Sequence, residues 1–189
     1  MVASLWRGLD IFRPLAWLYA VYSAYVRHQD MARPWLAWLV LGLLGAWTLG
    51  SVLYRARPRT GPRTMAVAGL ELVLGCCAIL STRLVDSPDV IIAGAKTLPG
   101  LWPAAAVVAW AVLSGWRAGM LAAFLVGVAD LLEVGVPTQG TINNIVILIL
   151  LGGCIGYCAD LSRDGHAALS KAMRVQAAAG ERDRLARTV

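Results

Sequence analysis

Six predominantly apolar runs, separated by short polar connections, constrain this chain more than any other feature: residues 9–27, 34–54, 65–83, 100–114, 117–134 and 141–160. Each approaches the ~20 mainly apolar residues that an α-helix needs to cross the hydrocarbon core of a bilayer. The fourth run is short and follows Leu98-Pro-Gly-Leu-Trp-Pro103, so a broken start or a steep tilt is expected there. The pattern predicts an all-α fold: a polytopic membrane protein with about six transmembrane helices over residues 1–160, followed by a cytoplasmic helix over residues 161–189.

Composition agrees. The chain is 59% hydrophobic with a mean hydropathy of +0.67, well above a soluble domain, which is about half apolar and a quarter charged. Its net charge of +6 does not mark a nucleic-acid partner, because the arginines sit in the connections, as cytoplasmic loops of membrane proteins require. Arg7, Arg13, Arg55, Arg57, Arg59, Arg63, Arg117, Arg163, Lys171 and Arg174 fall on one side of a six-span topology. The other side holds Arg27, Arg33, Arg83 and Lys96, offset by Asp30, Asp86 and Asp89. Both termini are therefore expected to be cytoplasmic, in the cell membrane. Trp6, Tyr54, Trp116 and Tyr157 then fall at the inner interface, and Trp35 and Trp102 at the outer one. No cleavable signal peptide is expected, since Arg7, Asp10, Arg13 and Pro14 interrupt the first run.

The four cysteines, Cys76, Cys77, Cys154 and Cys158, all lie in apolar runs, where thiols pack as small hydrophobes. Cys154 and Cys158 are one helical turn apart, but no second pair of His or Cys stands at ligand spacing, so no metal site is expected.

Ionisable groups within a bilayer cost ~2.5–3.5 kcal/mol each on insertion scales and so mark candidate functional positions. Glu71 lies eight residues beyond Arg63, near mid-membrane. Burial is expected to hold it neutral and hydrogen-bonded, unless a cation sits beside it. Arg83, Asp130, Glu133, Asn143 and Asn144 come from three runs at one outer depth, as a ligand pocket or an arginine-carboxylate latch would require. Gly115 with Gly119, and Gly152 with Gly156, have the spacing that lets helix backbones approach closely, within a subunit or across a dimer. Tyr19, Tyr22 and Tyr25 form a stripe on the first run, read as packing or interfacial residues. His28 and His166 stand in or near connections, and neither is given a role.

Beyond Leu161 the chain turns polar but remains rich in helix formers, with Leu169, Met173 and Gln176 at heptad spacing and breaks at Gly165 and Gly180. It ends in Glu181-Arg-Asp-Arg-Leu-Ala-Arg-Thr-Val189. The residues Glu181, Arg182, Arg184, Leu185, Ala186 and Arg187 make this stretch resemble the run that leads into the phospho-accepting histidine of NarL-type sensor histidine kinases. Leu5-Trp-Arg-Gly-Leu-Asp-Ile-Phe-Arg13, with Arg33-Pro34 and Trp47-Thr48, is similar to the membrane domain of the actinobacterial MacS-like members. The resemblance implies the signal-input and dimerisation half of a two-component sensor, with residues 161–189 as the signalling helix. It also implies a homodimer, and a cognate response regulator reached through a kinase core outside this sequence. ATP and Mg²⁺ would serve that core, with no catalytic residue and no cofactor in this chain. The alternative is a small substrate-binding membrane subunit of a vitamin-type transporter, which would not need the charged helical extension. No Ser/His pair or H-E-x-x-H motif points to an intramembrane enzyme.

Overall fold

The computed structural model describes residues 2–53, 62–87, 90–91 and 97–187, with side chains left out for residues 2–4, 52, 62–63, 175 and 177–187. Six helices are described: α1 Val2–Arg27, α2 Pro34–Leu53, α3 Pro62–Val85, α4 Pro103–Ser114, α5 Trp116–Val134 and α6 Gln139–Arg187. No strand occurs among these residues. The basic connection at Arg55, Arg57 and Arg59, with Tyr54, Asp89 and Lys96, lies outside the described residues, as do the side chains of Arg63 and of Glu181–Arg187.

The helix boundaries follow from local chemistry. α2, α3 and α4 each begin at a proline, whose missing N–H would be unpaired there in any case and whose φ suits the first turn. α5 ends at Gly135, left-handed at φ 78°, whose N–H bonds to Leu131 O. At the start of α6, Thr138 Oγ1 accepts the Thr141 N–H at 3.2 Å, a side-chain N-cap. Between α4 and α5 stands Gly115 alone, at φ 87°. A single residue therefore reverses the chain into a helical hairpin.

Three segments are long and apolar enough to cross a membrane: Pro34–Ser51, Thr64–Val85 and Gln139–Arg174. Of the six expected spans, these match three. α4 is apolar but only 12 residues long, about 18 Å at 1.5 Å per residue. The break expected at Leu98–Pro103 is a turn, and Leu98 N–H donates there to Thr82 Oγ1 at 3.0 Å. α4 can be short because it is the centre of the bundle, with Ala105, Ala106, Val107, Ala109 and Ala111 fully buried. Around it α1, α3, α5 and α6 pack through Leu9, Leu72, Ile79, Ala123, Val126 and Leu148. Large apolar side chains point outward instead, among them Leu18, Leu43, Val73, Phe124 and Ile147.

Indole N–H groups tie the helices together. Trp17 donates to Leu41 O at 2.8 Å, Trp102 to Thr48 Oγ1 at 3.0 Å and Trp110 to Ala68 O at 3.1 Å. Trp102, expected at an outer interface, is instead fully buried against Ala16, Leu44 and Ala78. Its ring fills the core and its N–H has an internal acceptor, so it needs no water. The tyrosine stripe divides: Tyr22 and Tyr25 are exposed, whereas the Tyr19 ring lies against Gly100.

Candidate functional site

Polar groups gather at three levels of the bundle. The first lies in the N-terminal halves of α1 and α3. Arg13 Nε and Nη2 donate to the two carboxylate oxygens of Glu71 at 2.6 and 2.5 Å. Glu71 is 1% and Arg13 6% exposed. The exception allowed for Glu71 is the case found: a cation stands beside it, on α1, which runs parallel to α3. Bidentate guanidinium-carboxylate pairing satisfies both groups where water is excluded. Beside the pair, a cavity of about 590 Å³ opens between α1, α2, α3 and α4.

The second level is the far end of the bundle. Asn144 Nδ2 donates to Asp130 Oδ2 at 2.9 Å, joining α6 to α5. Arg83 Nε donates to the backbone carbonyl of Glu133 at 2.6 Å rather than to its carboxylate. The arginine-carboxylate latch is thus replaced by a helix C-terminal cap, which suits a cation. Both Glu133 carboxylate oxygens are buried and lack a hydrogen-bond partner among the described residues. Asn143 does not join this group: it is exposed and accepts from Gln139 on its own helix at 3.3 Å. What brings charge to this end is a pair the sequence did not reveal, Arg27 Nη2 donating to Asp86 Oδ2 at 2.5 Å. Burial pushes the Asp86 carboxyl above its ordinary 3.8, with Arg27 pulling against that rise.

The third level is the point where α6 leaves the bundle. Arg163 Nη1 donates to Val112 O and Leu113 O, both at 3.0 Å, capping the last turn of α4. Its Nη2 donates to Asp160 Oδ1 at 2.6 Å, and Asp160 Oδ2 accepts the Trp116 N–H at 3.2 Å, at the start of α5. One turn of α6 therefore holds both sides of the turn between α4 and α5. Just above it the predicted glycines meet one another inside the chain. A Cβ on Gly152 would stand 2.6 Å from Gly119 O, and one on Gly156 would run into the Trp116 backbone. These glycines are thus used to seat α6 on α5, which leaves them no surface for a dimer. Gly115 closes the same knot from the other side, since a Cβ there would stand against the Asp160 carboxylate.

Cys77, Cys154 and Cys158 are exposed, and no group of metal-binding side chains occurs among the described residues. Arg13, Trp47, Asp86, Asp160 and Arg163 were not foreseen as site residues. A signal existed for Arg13: the first and third runs are parallel in a six-span topology, and it stands at nearly the depth of Glu71.

These features define an all-helical bundle with helices of membrane-crossing length, interior ion pairing and one helix that leaves as a long extension. The chain belongs to DUF5931, a family of unknown function whose model matches residues 1–170. No curated protein and no solved structure matches it.

Proposed function

We propose that this chain is the membrane signal-input and dimerisation domain of a two-component sensor histidine kinase, with six spans and both termini in the cytoplasm. α1, α4 and α5 complete the six, with Arg13 paired to Glu71, Arg27 to Asp86 and Asp130 to Asn144 inside the bundle. One observation carries the reading: α6 is a single helix of 49 residues from Gln139 to Arg187. At 1.5 Å per residue that is about 74 Å, more than twice the ~30 Å of a hydrocarbon core. Its first half is seated in the bundle by Gly152 and Gly156, and Asp160 with Arg163 fixes its phase at the exit. A small rotation of the α4–α5 hairpin would reach residue 187 as a rotation of the helix end.

With Gly119 and Gly152 occupied inside the subunit, dimer contact falls to the extension. There Leu169 and Met173, four residues apart, are 58% and 56% exposed, and a second copy of this helix would cover them. A response regulator, with ATP and Mg²⁺, belongs to the kinase core that such an extension would drive. The cavity would also suit a vitamin-type transporter subunit, but such a subunit has no use for a helix projecting this far.

The test is an insertion series after Ala168 in the protein joined to its kinase core, with autophosphorylation as the readout. Each inserted residue turns everything downstream by about 100°. Output should oscillate and return near a seven-residue insertion, and Asp160→Ala with Arg163→Ala should abolish stimulus dependence while leaving basal phosphorylation. Output indifferent to insertion length would refute transmission through a rigid helix.

A further inference from the structure

The cavity beside Arg13 and Glu71 has a defined chemistry. At about 590 Å³ it lies within the ~300–1,000 Å³ typical of small-molecule sites. Its walls are apolar, formed by Trp6, Leu43, Trp47, Val67 and Leu74. Leu43, Ala46 and Gly50, which line it from α2, are themselves exposed, so the cavity opens along that helix. α2 is one of the helices of membrane-crossing length, so this mouth faces lipid, and what enters must partition into a bilayer.

The polar inventory then narrows the occupant. The charged acceptors in the wall are used, both Glu71 oxygens receiving Arg13, and the Ser51 hydroxyl spends its proton on Thr48 O. One donor is left over: the Trp47 indole N–H is buried and lacks an acceptor among the described residues. Arg13 Nη1 is held in an ion pair 3.7 Å from Asp10 Oδ1. A buried donor without a partner is unfavourable, and an incoming acceptor would relieve it. That acceptor should be uncharged, because Arg13 is already neutralised by Glu71 with Asp10 close by, and a further anion would stand beside two carboxylates. We infer that the cavity is a binding site for a neutral, lipophilic molecule bearing a carbonyl group, admitted sideways from the membrane between α2 and α3. The inference takes only the membrane placement of α2 from the proposed topology, and none of the kinase coupling.

Three probes of closely matched length separate the possibilities: 2-heptadecanone, heptadecane and palmitate, the last carrying the ketone's alkyl tail on a carboxylate. Each is titrated against the purified chain in phosphatidylcholine nanodiscs, with binding read by native mass spectrometry and by the thermal unfolding midpoint. The ketone should bind saturably and about tenfold more tightly than the alkane, the difference expected from one added neutral hydrogen bond, and palmitate should be weakest. Trp47→Phe should reduce the ketone's advantage while leaving alkane binding in place. Equal affinity for ketone and alkane would reduce the cavity to an unspecific acyl slot, tightest binding of palmitate would make it an anion site, and no saturable binding would show closed packing space. Each of these three results overturns the inference, and because none uses phosphorylation, the signal-relay reading stands or falls separately.

Discussion

Glu71→Gln is the substitution on which a neutral glutamate and a paired one differ most. A neutral, singly hydrogen-bonded carboxyl would exchange for an amide almost without loss. The bidentate contact predicts otherwise, because both Glu71 oxygens accept from Arg13 and the amide nitrogen can accept nothing. One donor of a 6% exposed guanidinium would face an N–H₂ group, and its charge would keep only the looser pair with Asp10 at 3.7 Å. Removing one partner of a buried pair costs ~3–5 kcal/mol; the amide keeps one acceptor, so about 2–3 kcal/mol is expected for Gln and the full amount for Glu71→Leu or Arg13→Met. Replacing both together, Arg13→Met with Glu71→Leu, removes the charges and fills the space with side chains of similar size. That change should be near neutral or stabilising. The double-mutant cycle, read by denaturant unfolding in mixed lipid-detergent micelles followed by far-UV circular dichroism, should therefore give a coupling energy of several kcal/mol. Parent-like stability of Glu71→Gln, or additivity of the two single losses in the double variant, would refute the pairing.

Two further outcomes follow from particular contacts. Gly152→Ala places a methyl 2.6 Å from Gly119 O and 3.0 Å from Val107, so it should destabilise by about 1–3 kcal/mol, as overpacking does, whereas Gly165→Ala, with open space around it, should be neutral or stabilising in the same unfolding assay. The Asp86 carboxyl is held above its ordinary 3.8, so the folded chain binds that proton more tightly than the unfolded one. The stability it contributes is present below the unfolded value and is lost as pH rises through the folded one. Thermal midpoints should thus fall across that interval in the parent, and the fall should be smaller in Asp86→Asn; an equal pH dependence in both would exclude Asp86 as its source.

Much of the fold was legible because membrane helices announce themselves by length and by their breakers. Pro34, Pro62 and Pro103 start helices where the polar-to-apolar steps fall, and Gly135 ends one. The site was less legible, since depth along a span fixes one coordinate of a side chain and the rotation of its helix fixes the other. Asp130 and Asn144 share both, and meet. Asn143, one residue from Asn144, is turned some 100° away and stays outside. Glu71 was visible from its depth, but Arg13 read as a flanking charge because the sequence does not say that α1 extends back to Val2 and carries Arg13 well inside the bundle. Trp102 went to the core for a similar reason: its place before the short α4 is covered by α1, α2 and α3 rather than by an interface.

The central position of α4 joins levels of the molecule that the sequence presents separately. Ala109 lies in the cavity wall, and Val112 and Leu113, whose carbonyls Arg163 holds, follow it by three and four residues. That is one helical turn, about 5.4 Å of axis, along a helix so closely packed that its alanines have no room to move singly. On the proposed signal-input reading, a molecule seated against Ala109 would bear on the turn that Arg163 grips, and through Arg163 and Asp160 on the phase of α6. Such a route needs no large motion. Core packing is bistable rather than compliant, and a ligand that fits one arrangement of α4 better by ~3 kcal/mol would change the ratio of the two states more than a hundredfold. The Gly115 link would suit this role, because a single residue joins α4 to α5 and the helix ends on either side of it are fastened to the same turn of α6.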